Sequence, residues 1–174
     1  RTGGRGRMTL LEHPLVDLAL ARRLERAEGH ANARFIQSRA RTSPALGACW
    51  LVAGGAYAMF DGVGSPLTQT FGLGLFEPVT VELLDRLETF FFSRGSDTFH
   101  AVSPPADPTA LALLNERGYR PCEFTSVTVQ PLAPEATTPA ATSPAGPFVI
   151  RVATPGDLDT WARTALRGWS EFPE

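Results

Sequence analysis

The chain has 174 residues, 43% of them hydrophobic and 20% charged, with a formal net charge of −2. A chain of this length and composition is typical of an ordinary folded protein with one full core, and its charge gives no reason to expect nucleic acid or an acidic membrane surface as a partner. All 16 basic residues are arginine. The absence of lysine excludes Schiff-base chemistry and the lysine of a phosphate-binding loop.

The sequence also bears on the cellular compartment. No apolar run is long enough to span a membrane, no signal-peptide pattern is visible, and Cys49 and Cys122 belong to no metal-binding or CxxC spacing. We therefore expect a cytoplasmic protein with no membrane partner and two free thiols, although a disulfide between the two cysteines stays open.

The first part of the chain predicts a short tail followed by a long helix. Residues 1–8, "RTGGRGRM", indicate a flexible basic tail, and a folded domain is expected over residues 9–132. From Asp17 to about Arg41 apolar residues recur at helical spacing: Leu20, Leu24, Ala27, Ala31 and Phe35. The charged residues between them are predicted to form a solvated face and not a carboxylate site: Arg22, Arg23, Glu25 and Arg26.

An antiparallel meander is predicted next. The stretch "ACWLVAGGAYAMFDG" contains two short apolar strands around Gly54 and Gly55, a pair able to adopt the positive φ angles of a tight hairpin. After a turn at Asp61-Gly62, "SPLTQTFGLGLF" supplies a third strand.

The apolar period then changes from strand-like to helical at Thr80, a plausible helix cap. A helix with an apolar stripe (Val81, Leu84, Leu87 and Phe91) is followed by a strand at about 98–102, a helix capped by Asp107 and ended by Gly118, and a strand over 122–130. A strand–helix–strand crossover after a meander implies a mixed sheet. The predicted fold class is α/β (α+β): a mixed, mostly antiparallel sheet flanked by helices, with one parallel crossover region.

The remainder of the chain reads as a linker and an incomplete unit. Residues 133–147, rich in Pro, Ala and Thr, are predicted to be an extended linker. Residues 148–174 begin with a strand, Phe148–Val152, and continue as a helix whose apolar face contains Leu158, Trp161, Ala162, Ala165 and Trp169. About 27 residues do not form a domain alone. They therefore either open a second domain or pack on the first domain or a neighbouring chain.

Candidate catalytic and metal-binding side chains are weak throughout. The three histidines lie at no triad or metal spacing and are expected to be solvated or structural: His13, His30 and His100. Asp85 and Glu88 are three apart on a helix but are predicted on its outer face. Aromatic residues are predicted to belong to the core: Phe91, Trp50, Trp161 and Trp169. No catalytic or metal-binding residue is predicted.

The stretch "DPTALALLNERGY" carries a family resemblance. The GNAT acetyltransferase family has Asn-x-x-Ala-x-x-Leu-Tyr, three residues, then Gly-Phe, and this chain has Asp107, Ala110, Leu113-Leu114 and Gly118-Tyr119 at the same spacing. Residues 150–163, "IRVATPGDLDTWAR", also look like the first strand and helix of a GNAT domain. With the element order over 17–132, the chain resembles a tandem GNAT protein.

The resemblance implies acetyl transfer from acetyl-CoA to an amine, which requires a base for the amine and an acid for the departing thiolate. The Tyr that usually serves as the acid is replaced here by Leu114, and the strand that usually carries the base, from Leu67 to Leu73, contains no acid. By position on the fourth strand, Leu73, Gly74 and Leu75 are the predicted cofactor-binding residues.

The expected phosphate-binding turn also departs from the family. In place of its Gly-rich pattern the chain has "GLFEPVTVE", where Pro78 lacks an N–H and where Glu77 and Glu82 add negative charge. We expect a GNAT-family acetyltransferase whose 17–132 domain is itself inactive, with an unidentified small-molecule amine acceptor and doubtful acetyl-CoA binding by this segment. The partner is expected to be a second copy or the missing C-terminal domain. The alternative is a non-enzymatic GNAT-like module for dimerisation, scaffolding or ligand sensing.

Overall fold

The computed structural model describes residues 16–129 and 151–170. Contacts divide the chain into two compact units, with the division between Thr128 and Val129. The first unit is a mixed α+β fold, and the described part of the second, residues 151–170, contains a helix with a short helical turn before it. Each unit is described by itself.

A long helix, α1 (Leu18–Thr42), opens the first unit. The Asp17 side chain caps it by accepting a hydrogen bond from the Leu20 amide at 2.7 Å. The buried face is not the predicted stripe, because α1 packs through Ala21, Gly29, Ala33 and Ile36 while Phe35 is exposed. Small residues face the sheet because the Tyr57 ring occupies the space that a Cβ on Gly29 would need.

The sheet is the predicted antiparallel meander. Strands β1 (Cys49–Ala53), β2 (Ala56–Phe60) and β3 (Gln69–Phe71) pair in that order, with Ala53 opposite Ala56 and Ala58 opposite Thr70. The hairpin between β1 and β2 is confirmed, since Gly54 and Gly55 have φ angles of 56° and 74°. A short 3-10 turn, Pro44–Leu46, precedes β1.

Two helices complete the first unit, α2 (Val81–Phe92) and α3 (Pro108–Glu116). The predicted caps are confirmed: Thr80 accepts from the Leu83 amide, and Asp107 accepts from the Thr109 amide at 2.9 Å. Alternation along the strands gives the sheet two apolar faces. The face towards α2 and α3 is the larger core (Ala53, Ala58, Phe60, Leu73, Val79, Leu84, Leu87, Phe90, Phe91, Ala110 and Leu114), and the face towards α1 is the smaller (Ala33, Ile36, Ala48, Met59 and Phe71).

The strand predicted at 98–102 is reduced to a single parallel bridge between Thr70 and His100. The Thr70 amide donates a hydrogen bond to the Phe99 carbonyl at 2.9 Å, and the Ala101 amide donates one to the Thr70 carbonyl at 2.8 Å. One bridge residue does not make a strand, so the predicted parallel crossover is not established.

The strand predicted over 122–130 is wrong for the part that the structure describes. Residues 122–129 adopt no strand, and Phe124 and Val127 are exposed. Their alternating pattern suits a strand, but a strand forms only where a neighbour satisfies its N–H and C=O groups. Residue 130 lies outside the described range.

The second unit contains the 3-10 turn Pro155–Asp157 and helix α4 (Leu158–Ser170). Arg151 holds the Asp157 carboxylate in two hydrogen bonds of 2.6 and 2.7 Å, which lower the pKa of Asp157 well below its usual range. Arg151 and Val152 are not in a strand, and residues 148–150 of the predicted strand lie outside the described range. Trp161 is 65% exposed, so among the described residues it does not belong to a core; the Trp169 side chain is not described.

Candidate functional site

The residues predicted to bind cofactor, Leu73, Gly74 and Leu75, lie in the turn that directly follows β3. Leu73 and Leu75 are 0% and 1% exposed, so both side chains belong to the interior. Gly74 has a φ of 76°, and a Cβ there would lie 3.1 Å from the Cβ of Ala110 on α3. The turn is therefore packed against the chain's own apolar side chains.

The backbone oxygens of this turn also have partners from the same chain. The Gly74 carbonyl accepts from the Asp107 amide at 2.8 Å, and the Leu75 carbonyl accepts from Arg22 Nε at 2.6 Å. The Gly72 carbonyl accepts from the Leu75 amide. A ligand that used these oxygens would first have to displace the chain's own donors.

The N-terminus of α2, where the family resemblance would place a pyrophosphate, is capped by its own side chains. Thr80 Oγ1 accepts from the Leu83 amide at 3.2 Å. A hydrogen bond from its own backbone N–H, and then one from Thr80, lower the pKa of Glu82, so its carboxylate stays ionised at this end of the helix. A carboxylate in the first turn offsets the positive helix dipole that an anion would use.

The prediction that Arg22 and Glu25 belong to a solvated face is wrong. Ser103 donates a hydrogen bond of 2.5 Å to Glu25 Oε1, and Glu25 Oε2 is buried with no hydrogen-bond partner among the described residues. The carboxylate therefore lies between α1 and the segment that follows the Thr70–His100 bridge. Burial, and then the charge of Glu25, raise the pKa of the neighbouring Glu28.

A larger polar cluster surrounds the hydroxyl of Tyr119. That hydroxyl lies 3.1 Å from Glu88 Oε1 and 3.3 Å from His100 Nε2, and it forms a further hydrogen bond with Thr98 Oγ1. The Tyr119 hydroxyl donates its one proton to Glu88 Oε1. The neutral His100 ring must then donate from Nε2 to the Tyr119 oxygen, which assigns its tautomer.

His100 is positioned by its bridge to Thr70 and by the ring of Tyr119, whose centroid lies 5.1 Å from its own. Burial lowers the pKa of His100 to about 4, so the ring is neutral at pH 7. Its Nδ1 atom is buried without a hydrogen-bond partner among the described residues, and so is Oγ1 of Thr70.

Arg117 extends the cluster to the surface. Its guanidinium contacts Glu88 Oε2 at 2.6 Å, Asp85 Oδ1 at 2.7 Å and the Val81 carbonyl at 3.1 Å. Glu88 is only 16% exposed, so its predicted place on the outer face of α2 is wrong, whereas Asp85 is largely exposed as predicted. The cause is the segment after α3, which brings Arg117 and Tyr119 over this side of α2.

An open cavity of about 570 Å³ lies on this cluster. Its lining combines acidic, basic, hydroxyl and aromatic groups: Glu88, Phe92, Asp97, Thr98, Arg117, Gly118 and Tyr119. Sequence reasoning missed this site because its members come from three separate segments. The one local signal was Glu88, which directly follows the buried residue Leu87.

The other predicted candidates are not brought together. His30 lies on α1, with Nδ1 3.4 Å from the Tyr57 hydroxyl, and His13 is outside the described range. Both cysteines are free, and Cys49 Sγ accepts from Arg94 Nε at 3.2 Å. Over residues 16–129 and 151–170, no three His, Cys, Asp or Glu side chains are grouped as a metal ion would require. Within the same ranges, no helix has the length and apolar character needed to cross a membrane.

Comparisons of the chain with family models, with curated proteins and with solved structures gave no match.

Proposed function

We propose that residues 17–132 form a GNAT-like domain without transfer activity, the N-terminal part of a tandem, acetyl-CoA-dependent N-acetyltransferase of the cytoplasm. The proposed sheet is the GNAT arrangement, in which the single Thr70–His100 bridge marks a parallel crossover. The sequence from Asp107 to Tyr119 supports the assignment, because it forms a capped helix that ends before Gly118, as the family pattern requires. The free thiols are compatible with a reducing compartment.

The observation that carries the proposal is the closed turn after β3. The family resemblance implies that the cofactor arm would lie along this backbone. In this chain the Asp107 amide donates a hydrogen bond to the Gly74 carbonyl instead, and Leu75 is buried. The family's acid position is Leu114, a buried side chain with no proton to give. The strand from Leu67 to Leu73, where the family carries its base, contains no acidic residue. Loss of one general acid or base commonly lowers the rate of an enzyme by about 10²–10⁴, so loss of both leaves little rate enhancement except that from positioning the substrates.

Calorimetric titration of the chain with acetyl-CoA tests the proposal. We expect no binding in the micromolar range, because the contacts of a phosphate-binding turn, each worth about 1.5–3 kcal/mol when charge-assisted, are not available at Pro78. A GNAT enzyme that binds acetyl-CoA, run in the same buffer, is the control. Micromolar binding by this chain, or acetylation of an amine above the uncatalysed rate, would show that the proposal is wrong.

The second unit supports the tandem part of the proposal less directly. Leu158, Trp161 and Leu166 leave α4 with an exposed apolar face. Such a face is usually covered in a stable protein. We propose that the remainder of a second GNAT-like domain, a second copy of the chain or the first unit covers it. Hydrogen exchange of α4 tests this, since fast exchange in a stable monomer would contradict it.

A further inference from the structure

We propose that the cavity beside Tyr119 binds a small organic cation, an ammonium group that carries an apolar or aromatic portion. The binding groups are the Asp97 carboxylate and the Phe92 ring. This inference does not depend on the acyl-CoA proposal, because none of these residues belongs to the turn after β3.

The charge of the cavity selects a cation. Its lining contains two carboxylates, Glu88 and Asp97, and one guanidinium, Arg117. Arg117 is paired with Glu88 and also binds Asp85 outside the lining, so the lining keeps one uncompensated negative charge, that of Asp97. An anionic ligand would therefore meet carboxylates whose only cation is occupied, whereas an ammonium group is attracted.

Asp97 is the carboxylate that is free to bind. Glu88 accepts from both Arg117 and Tyr119, but the Asp97 carboxylate makes no hydrogen bond or ion pair with any residue in the described part of the chain. The residue is exposed, so a ligand can reach this carboxylate without disturbing the network around Tyr119.

Phe92 supplies the apolar contact. It is the last residue of α2 and is 59% exposed, whereas its neighbour Phe91 is fully buried. An exposed aromatic ring in the wall of an acidic cavity offers both an apolar surface and a negative π-face to a cation. Together, the free carboxylate and the exposed ring define the ligand as an amine with a hydrophobic substituent.

Titration of the ¹⁵N-labelled chain with 2-phenylethylammonium, followed by amide chemical shifts, tests the inference. We expect a saturable change confined to the residues that line the cavity, and at least fivefold weaker binding when NaCl is raised from 0.05 to about 0.5 M, because salt screens the exposed charge. The neutral analogue 2-phenylethanol should bind at least fivefold more weakly. Equal affinity for the alcohol, or shifts centred elsewhere, would overturn the proposal.

Matched variants locate the site. Asp97→Asn and Phe92→Ala should each weaken binding of 2-phenylethylammonium at least threefold. Glu116→Gln removes an exposed charge and Phe35→Ala an exposed ring outside the cavity lining, and both should change the affinity less than twofold. The dispersion of each spectrum reports that the variant is folded. Unchanged affinity in Asp97→Asn, or an equal loss in Glu116→Gln, would show that the cavity is not the site.

Discussion

The buried His100 ring should make the stability of the protein depend on pH. Its pKa is about 4 in the folded chain, against 6.5 in the absence of burial. Because the unfolded chain binds the proton of His100 more tightly, the contribution of the neutral ring to the free energy of unfolding is complete above pH 6.5. That contribution is lost as the pH falls towards 4. At about 1.4 kcal/mol per pH unit, the full effect is about 3–4 kcal/mol, and about 2–3 kcal/mol of it should be gone by pH 4.5.

The assay is urea denaturation of the chain and of His100→Gln between pH 7 and pH 4.5. The variant keeps a donor near Nε2 but has no group that titrates in this range, so the carboxylates common to both proteins cancel when the two curves are compared. The difference in unfolding free energy should shift by about 2–3 kcal/mol in favour of the variant as the pH falls. Parallel curves would refute a buried, neutral His100.

Three further predictions rest on pairs or clusters of residues and are measured by the same denaturation assay at pH 7. Gly74→Ala should lower the free energy of unfolding by about 2–4 kcal/mol, because the added Cβ would meet α3 and the positive φ would be strained. Gly95 has a φ of 70° with open space around it, so Gly95→Ala should lower it by only about 1 kcal/mol. Equal losses would contradict the close packing of the turn. Phe91→Ala should cost about 3–5 kcal/mol because the ring is fully buried, and Phe92→Ala less than about 1 kcal/mol; a reversed order would mean that the inner face of α2 is misassigned. Tyr119→Phe should cost about 1–3 kcal/mol, because it removes a hydroxyl with three hydrogen-bonding partners, and a neutral result would exclude the network.

The parts of the fold that the sequence predicted correctly depend on local chemistry. Thr80 and Asp107 each cap a helix whose first apolar residues follow at once, and the two-glycine hairpin needs only its own positive φ angles. The strand predicted over residues 122–130 is wrong over 122–129 for the opposite reason. Their alternation is typical of a strand with one buried face, but a strand forms only beside a partner strand, and that partner need not be close in sequence.

The polar sites could not be predicted because their members are distant in sequence. Ser103 and Glu25 are 78 residues apart, and Tyr119 and Glu88 are 31 apart. A charged side chain on an amphipathic helix is usually exposed to solvent. Which of these side chains are buried depends on where a later segment of the chain packs against the helix. The error for α1 has a related cause, since close approach of the sheet favoured small residues over the larger apolar side chains of the predicted stripe.

Helix α3 connects the closed turn to the cavity. At its N-terminus, the Asp107 amide donates to the Gly74 carbonyl and Ala110 packs against the turn. Directly after its C-terminus, Arg117 and Tyr119 bind Glu88 on α2. A helix of nine residues spans only about 13 Å, so packing at one end restricts where the other end can lie. The same short helix that packs against the turn after β3 therefore also holds the wall of the cavity in place, and a substitution that shifts one end of α3 should change the other end as well.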